Sequence, residues 1–259
     1  MINRVISQAK FRIIVFSRTP ILYFTTYFFP IFSLYFFGKN YVNNVSETNS
    51  FMNTYLPLYI SIGLSAISVF TVGIDLVSKR EKKLYKRIML IGYTEAESMI
   101  ADALFSLILI IPLCLLLLIE AYILYGYIPV LTNILIIIPI LITILTFTII
   151  SYFVFGLINN AKIAGPLQIA IFGFSLFALG IIMPYFMLSK GIVDFIKWTP
   201  YYHIHNLGII FWNGDVVKNT NVIFDSAMYI LFFGIGLSLL TYFMRCIYDN
   251  KSIKKLYKK

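Results

Sequence analysis

An all-α, polytopic membrane fold follows from three observations on this chain. Of its 259 residues 60% are hydrophobic and 12% charged, with a mean hydropathy of +0.87, whereas a soluble domain is roughly half apolar and about a quarter charged. Apolar runs of about 20 residues recur, the length a helix needs to cross the ~30 Å hydrocarbon layer. These runs are apolar all round rather than alternating as in a transmembrane β-strand, and in hydrocarbon each span has to satisfy its own backbone hydrogen bonds. Cys114 and Cys246 each lie in an apolar run, a placement that indicates neither a disulfide framework nor a metal site.

The elements follow in chain order as one transmembrane domain over 1–259. In the first 19 residues Ile2, Val5, Ile6, Ala9, Ile13 and Phe16 recur at helical spacing, opposite Arg4, Gln8 and Arg12. That pattern predicts an interfacial helix before the chain turns into the bilayer at Pro20; an ordinary basic leader is the alternative. No small-residue cleavage site follows, so the segment does not read as a cleavable signal. Six spans are expected, over about 21–37, 55–77, 99–125, 130–157, 164–188 and 223–245. Pro30, Pro112, Pro139 and Pro184 fall inside them and predict kinks that neighbouring helices can accommodate. A segment over 78–92 follows span two, an amphipathic or re-entrant segment over 190–215 precedes span six, and a basic tail occupies 246–259.

Orientation comes from the basic residues on each side. Seventeen of the 21 Lys and Arg residues fall on the side holding the N-terminus, the 78–92 segment, Lys162 and the tail; Lys39, Lys190, Lys197 and Lys218 fall on the other. Both termini are therefore expected in the cytoplasm. The net charge of +10 is spread over every cytoplasmic segment as topology requires, which argues against a nucleic-acid partner. Lys outnumbers Arg 15 to 6 and Ile, Phe, Tyr and Asn abound, a composition that points to an AT-rich bacterial genome and hence to a bacterial plasma membrane.

The stretch SKREKKLYKRIMLIGYTEAES, Ser78 to Ser98, carries six of the basic residues within ten positions. On a helical wheel Leu84, Ile88 and Ile91 share one face, with Lys79, Lys82, Lys83 and Lys86 opposite. This periodicity predicts an amphipathic helix over 78–92, stopped by Gly92 in a left-handed cap. Thr94 and Glu97 then form a T-x-x-E capping box that opens span three. Two roles are open here: an anchor on lipid headgroups, or a rigid element that docks into a partner.

An interfacial N-terminal helix, six spans and a charged helix after span two resemble a type-2 ABC exporter permease. In that family the segment after span two reads R-E-(basic), then basic and hydrophobic positions, a small residue, and an acidic residue opening span three. Here these stand as Arg80-Glu81-Lys82-Lys83, Lys86-Arg87-Ile88, Gly92 and Glu95/Glu97. The turn and outer amphipathic helix that the family carries before its last span match Thr199-Pro200-Tyr201-Tyr202 within Lys197–Asp215. The resemblance implies a dimer, homomeric or heteromeric, each subunit binding a separate ATPase through the helix after span two. It places Arg80, Glu81, Lys83, Tyr85, Lys86, Arg87 and Tyr93 on the docking surface, with Glu95 and Glu97 supporting its base. No G-x-x-x-x-G-K-[ST] occurs in the chain, so ATP and its Mg ion belong to the partner and this chain carries no cofactor.

Within the spans, Ser61, Ser65 and Ser68 recur along one face of span two, and Gln168, Phe172 and Ser175 make a matching stripe on span five. Small polar residues at such spacing serve close helix packing; the alternative is a substrate pathway, since the resemblance places spans two and five at the central cavity. Asp75, Asp102, Glu120 and Asp225 all sit towards span ends, unlike the midplane charges of ion-coupled carriers. Glu120 lies furthest inside and is a candidate outer gate together with Trp198, Pro200, Tyr201 and Tyr202 of the outer segment. The H-x-H pair His203/His205 has no neighbouring Cys, Asp or Glu and makes a poor metal site.

The expected function is the membrane subunit of an ATP-driven exporter for a hydrophobic or amphipathic substrate, such as a peptide toxin, an antimicrobial peptide or a drug. Export of a lipid-linked glycan, a secondary carrier or channel, and a membrane-anchored assembly factor are the alternatives. The chain itself is not expected to be an enzyme.

Overall fold

The computed structural model describes residues 2–41 and 45–256, and among these every regular element is a helix, with no strand. After α1 (Ile2–Ser17), helical backbone runs over 20–41 as α2 (Pro20–Tyr23), a π-helical segment Phe24–Phe28 and α3 (Phe29–Tyr41). Pro30 has no N–H for the Thr26 carbonyl, and the wider π turn lies immediately before it. Next, α4 (Val45–Ala66), a second π segment Ile67–Gly73 and α5 (Ile74–Glu81) form one continuous rod. Then come α6 (Leu84–Leu90), α7 (Glu95–Tyr125), α8 (Ile137–Val154) between 3-10 turns, α9 (Ala161–Ala178), α10 (Lys190–Lys197), α11 (Pro200–Asn213) and α12 (Thr220–Leu256).

Among the described residues five helices are long and apolar enough to cross a membrane: Thr48–Glu81, Glu95–Tyr125, Asn133–Leu157, Ala161–Ala178 and Thr220–Met244. The helical backbone over 20–41 lies where the first span is expected. Of the other prolines, Pro112 is carried inside α7, Pro139 falls in the first turn of α8, where its missing N–H costs little, and Pro184 lies outside any α-helix. Consequently the fifth span ends ten residues earlier than expected, at Ala178, where Gly180 takes φ +74°. The expected tail continues α12 as far as Leu256, and 257–259 lie outside the described residues.

The rod α4–π–α5 is the centre of the protomer. Of its most apolar stretch 83% is buried, against 17% for Thr220–Met244, so span two packs against protein and span six lies on the outside of the bundle. Leu56, Leu58, Tyr59, Ile62, Leu64 and Ile67 are each at most 1% exposed. Close approach depends on two glycines. A Cβ at Gly63 would stand 2.0 Å from Leu113 of α7, and one at Gly73 would stand 2.6 Å from the ring of Phe155. Against this rod pack α3, α7, α8, α9 and α11. The outer segment is a helical pair in which α11 buries Ile204, Leu207, Phe211 and Trp212 among α4, α8 and α12.

Candidate functional site

The chemistry-bearing side chains collect at the basic end of the bundle, where α1, α5, α6 and α7 meet. The stretch after span two is not one helix over 78–92, as its wheel predicts. The rod runs on to Glu81, Lys82 closes it, and Lys83 takes φ +57°, the one non-glycine residue with positive φ among those described. A new helix, α6, starts at Leu84 and ends at Leu90. The left-handed conformation costs an L-residue roughly 1–2 kcal/mol, so its use here sets α6 at its own angle to the rod. Gly92 follows at φ +90°. At Thr94 the expected capping box is present: the Glu97 carboxylate accepts from the Thr94 N–H at 2.8 Å, and the Thr94 hydroxyl accepts from the Glu97 N–H at 3.2 Å.

The break redistributes the expected docking residues. Glu81, Lys83, Leu84 and Arg87 are exposed, and Leu90 and Ile91 are 86% and 72% exposed at the tip of α6. Ile91 therefore projects outward instead of sharing a buried apolar stripe with Ile88. Tyr85 and Tyr93 turn inward and line a cavity of about 250 Å³ under α1. Arg80 stacks 4.8 Å over the Tyr85 ring, and Arg4 of α1 lies 5.5 Å over the Tyr93 ring while donating to the Gly92 carbonyl at 2.8 Å. The Glu81 carboxylate accepts from the Ala161 N–H at 3.4 Å, joining this end to α9. Glu95 is half-buried in the first turn of α7 and Glu97 is buried in the cap; Lys86 lies on α6, its side chain outside the described residues.

A second group was not signalled by the sequence. Arg12, expected on the polar face of α1, is only 8% exposed, and it ion-pairs with Asp102 of α7, which is wholly buried. The Tyr152 hydroxyl of α8 donates to the same carboxylate at 2.7 Å. Arg12 also reaches Asp75 at 3.4 Å, and Asp75 pairs with Lys79 at 2.5 Å. The buried face of α1 is therefore Val5, Ala9, Arg12 and Phe16, while Ile2 and Ile6 are exposed. Helical periodicity places a cation on the polar face because it cannot see a counter-ion 90 residues away. The one available hint was a pair of acids, Asp75 and Asp102, near the basic ends of two spans.

The stripes of spans two and five meet each other. The Ser65 hydroxyl donates to Ser175 at 2.9 Å, Ser175 bonds the Tyr201 hydroxyl at 3.0 Å, and Gln168 donates to the Val69 carbonyl at 3.0 Å. Phe172 packs between Phe29 and Phe70, with ring centroids 5.1 Å from each. Ser68 bonds Ser151 and the Phe147 carbonyl of α8, and Ser61 donates to its own helix at Pro57. Ser65, Gln168, Phe172 and Ser175 thus lie in the seam between spans two and five, while Ser68 is turned to α8 and Ser61 to its own helix. At the opposite end Glu120 is half-buried with one carboxylate oxygen lacking a hydrogen-bond partner among the described residues. Trp198 is exposed at the corner between α10 and α11, Pro200 is the first residue of α11, Tyr201 is buried at the seam and Tyr202 stacks on Tyr185.

A family model described as ABC-2 family transporter protein matches residues 38–243, from the end of α3 to Phe243 in α12. No curated protein and no solved structure matches the chain.

Proposed function

The chain belongs to the ABC-2 family of transporter proteins and is a multi-pass membrane permease of an ABC transporter; from that premise we propose that it exports a hydrophobic or amphipathic substrate, a peptide or a drug, from a bacterial cell. Permeases of this family pair with an ATPase subunit, and α6 is the element we assign to that contact. The observation that carries the assignment is the left-handed break at Lys83. It turns a short helix away from the rod and displays Lys83, Leu84, Arg87, Leu90 and Ile91 together at the basic end. A helix that only anchored the chain on lipid would have no need of a separate angle. On this reading both termini are cytoplasmic, ATP and Mg are held by the partner, and two permease subunits enclose the pathway.

Movement of α6 reaches the spans by two routes. The rod carries it directly through α5, and Arg4 carries it through α1 to Arg12 and Asp102 at the base of α7. The pathway we propose opens along the seam held by Ser65, Gln168, Phe172 and Ser175, whose contacts part as spans two and five separate, with Ser61 and Ser68 on the same face of span two. The rings and hydroxyls exposed by that parting suit an amphipathic substrate better than a strongly hydrated glycan.

Co-expression of the chain with its candidate ATPase tests the docking assignment. Wild type is expected to co-purify with the ATPase, and the pair Lys83→Glu/Arg87→Glu, exposed and without side-chain partners among the described residues, is expected to abolish both the complex and export while leaving the permease folded. Retention of the complex by that double variant would refute the role of α6. Transport driven by an ion gradient alone in proteoliposomes lacking the ATPase would refute ATP-driven export.

A further inference from the structure

The cavity under α1 has chemistry that ATPase docking does not use. It lies between α1, the α5–α6 corner and the start of α7, and its walls include Phe11, Arg12, Lys79, Tyr85, Ile88 and Tyr93. Two cations and no acid line it; the counter-ions Asp75 and Asp102 stand behind, pairing with Lys79 and Arg12. Two more guanidiniums flank it, and neither has a carboxylate within ion-pair distance among the described residues. Arg80 is stacked on Tyr85, its Nε buried without a hydrogen-bond partner, and Arg4 lies over Tyr93. The Tyr85 hydroxyl is likewise buried without a partner among the described residues. Glu97 lies within electrostatic reach of Arg4 but is committed to the Thr94 cap.

A guanidinium over an aromatic ring still presents N–H groups, a planar fork that matches phosphate oxygens: Arg4 spends one on the Gly92 carbonyl, and the Nε of Arg80 has no partner among the described residues. The volume, about 250 Å³, falls just below the ~300 Å³ where drug-sized pockets begin, a fit for a headgroup and not for a whole amphiphile. Phe11, exposed on α1, Leu76 and Ile88 give the wall an apolar part beside the polar Ser7, Gln8 and Ser98. We propose that this cavity binds the head of a net-anionic phospholipid from the adjoining leaflet, a phosphate with no cationic headgroup of its own, its acyl chains remaining in the bilayer. So placed, the lipid bridges Arg4 on α1 and Arg80 on the rod and wedges α6 at its angle. Anionic lipids enrich the cytoplasmic surface and attract basic segments there, so the state of the membrane would bear directly on the coupling helix. The proposal rests on the chain's place in the membrane and not on the ATPase contact.

The test uses the full chain without any ATPase, in nanodiscs of phosphatidylcholine containing a minority of phosphatidylglycerol or phosphatidylcholine that carries a photoreactive headgroup. The glycerol probe is expected to label peptides covering 7–12 and 79–93 of wild type about ten-fold more than the choline probe, roughly 1.4 kcal/mol, because the choline ammonium is repelled by the cations around the cavity that the shared phosphate attracts. Arg4→Gln/Arg80→Gln is expected to lose that preference, and Lys218→Gln at the opposite end to keep it. Equal labelling by both probes on wild type, a measurement that needs no variant, overturns the proposal. So does labelling confined to other segments. Protection of the site by millimolar inorganic phosphate assigns it to a soluble phosphate and overturns the lipid source. Failure of ATPase co-purification leaves this outcome untouched, so the two readings fail separately.

Discussion

Asp102→Asn separates the charge of the buried network from its hydrogen bonding. The amide keeps an oxygen for the Tyr152 hydroxyl, which now donates at 2.7 Å, but leaves Arg12 without its principal counter-ion. Asp75 remains, at 3.4 Å, partly exposed and already paired with Lys79. Arg12 is 8% exposed and Asp102 wholly buried, so water cannot compensate, and breaking one side of a buried pair costs about 3–5 kcal/mol. Reversible unfolding of the purified chain in detergent micelles is the assay. Arg12→Gln is expected to lose a similar amount, and Arg12→Gln/Asp102→Asn to recover most of it, because a neutral polar pair carries no uncompensated charge. The exposed pair Lys197–Asp194 is the control, and Asp194→Asn is expected to change nothing measurable. A loss under about 1 kcal/mol for Asp102→Asn, or losses that simply add in the double variant, would refute the claim that Arg12 is held by Asp102.

Three further outcomes follow from particular positions. Lys83→Gly is expected to be neutral to about 1 kcal/mol more stable, since glycine adopts φ +57° without strain, whereas Lys83→Val loses about 1–2 kcal/mol; equal stability of the two would mean the break is not left-handed. Gly73→Ala pushes a methyl into the ring of Phe155 and is expected to cost about 1–3 kcal/mol, with partial recovery on adding Phe155→Leu; no recovery would place the strain elsewhere. Cysteines replacing Ser65 and Ser175, whose oxygens are 2.9 Å apart, are expected to form a disulfide that stops transport until it is reduced while ATPase binding persists. Transport at the wild-type rate with the bond intact would remove the seam from the pathway.

What could be read from sequence was local. The capping box at Thr94 and Glu97 and the turn at Gly92 depend on residues three or four apart, and both are present. The break at Lys83 was hidden because no glycine or proline marks it; a lysine takes the left-handed turn under constraint from the α5–α6 packing. Spacing along span two showed that Ser65 and Ser68 share a face, but not that Ser175 and Ser151 would meet them there. The end of the fifth span was misplaced because hydropathy continues through Leu179, Ile181 and Ile182 although the backbone has already turned at Gly180. Arg12 is the clearest case. Its role depends on carboxylates brought from α5 and α7, and no pattern within α1 records them.

Arg4 and Arg12 sit two helical turns apart on α1, about 12 Å along one rigid rod. The first holds the Gly92 carbonyl beyond α6, and the second holds the base of α7 through Asp102. A single contact between two moving parts transmits a push and lets them swivel. Two attachments on one lever also transmit torque, so a twist applied to α6 has to rotate the base of α7 or break one of the arginine contacts.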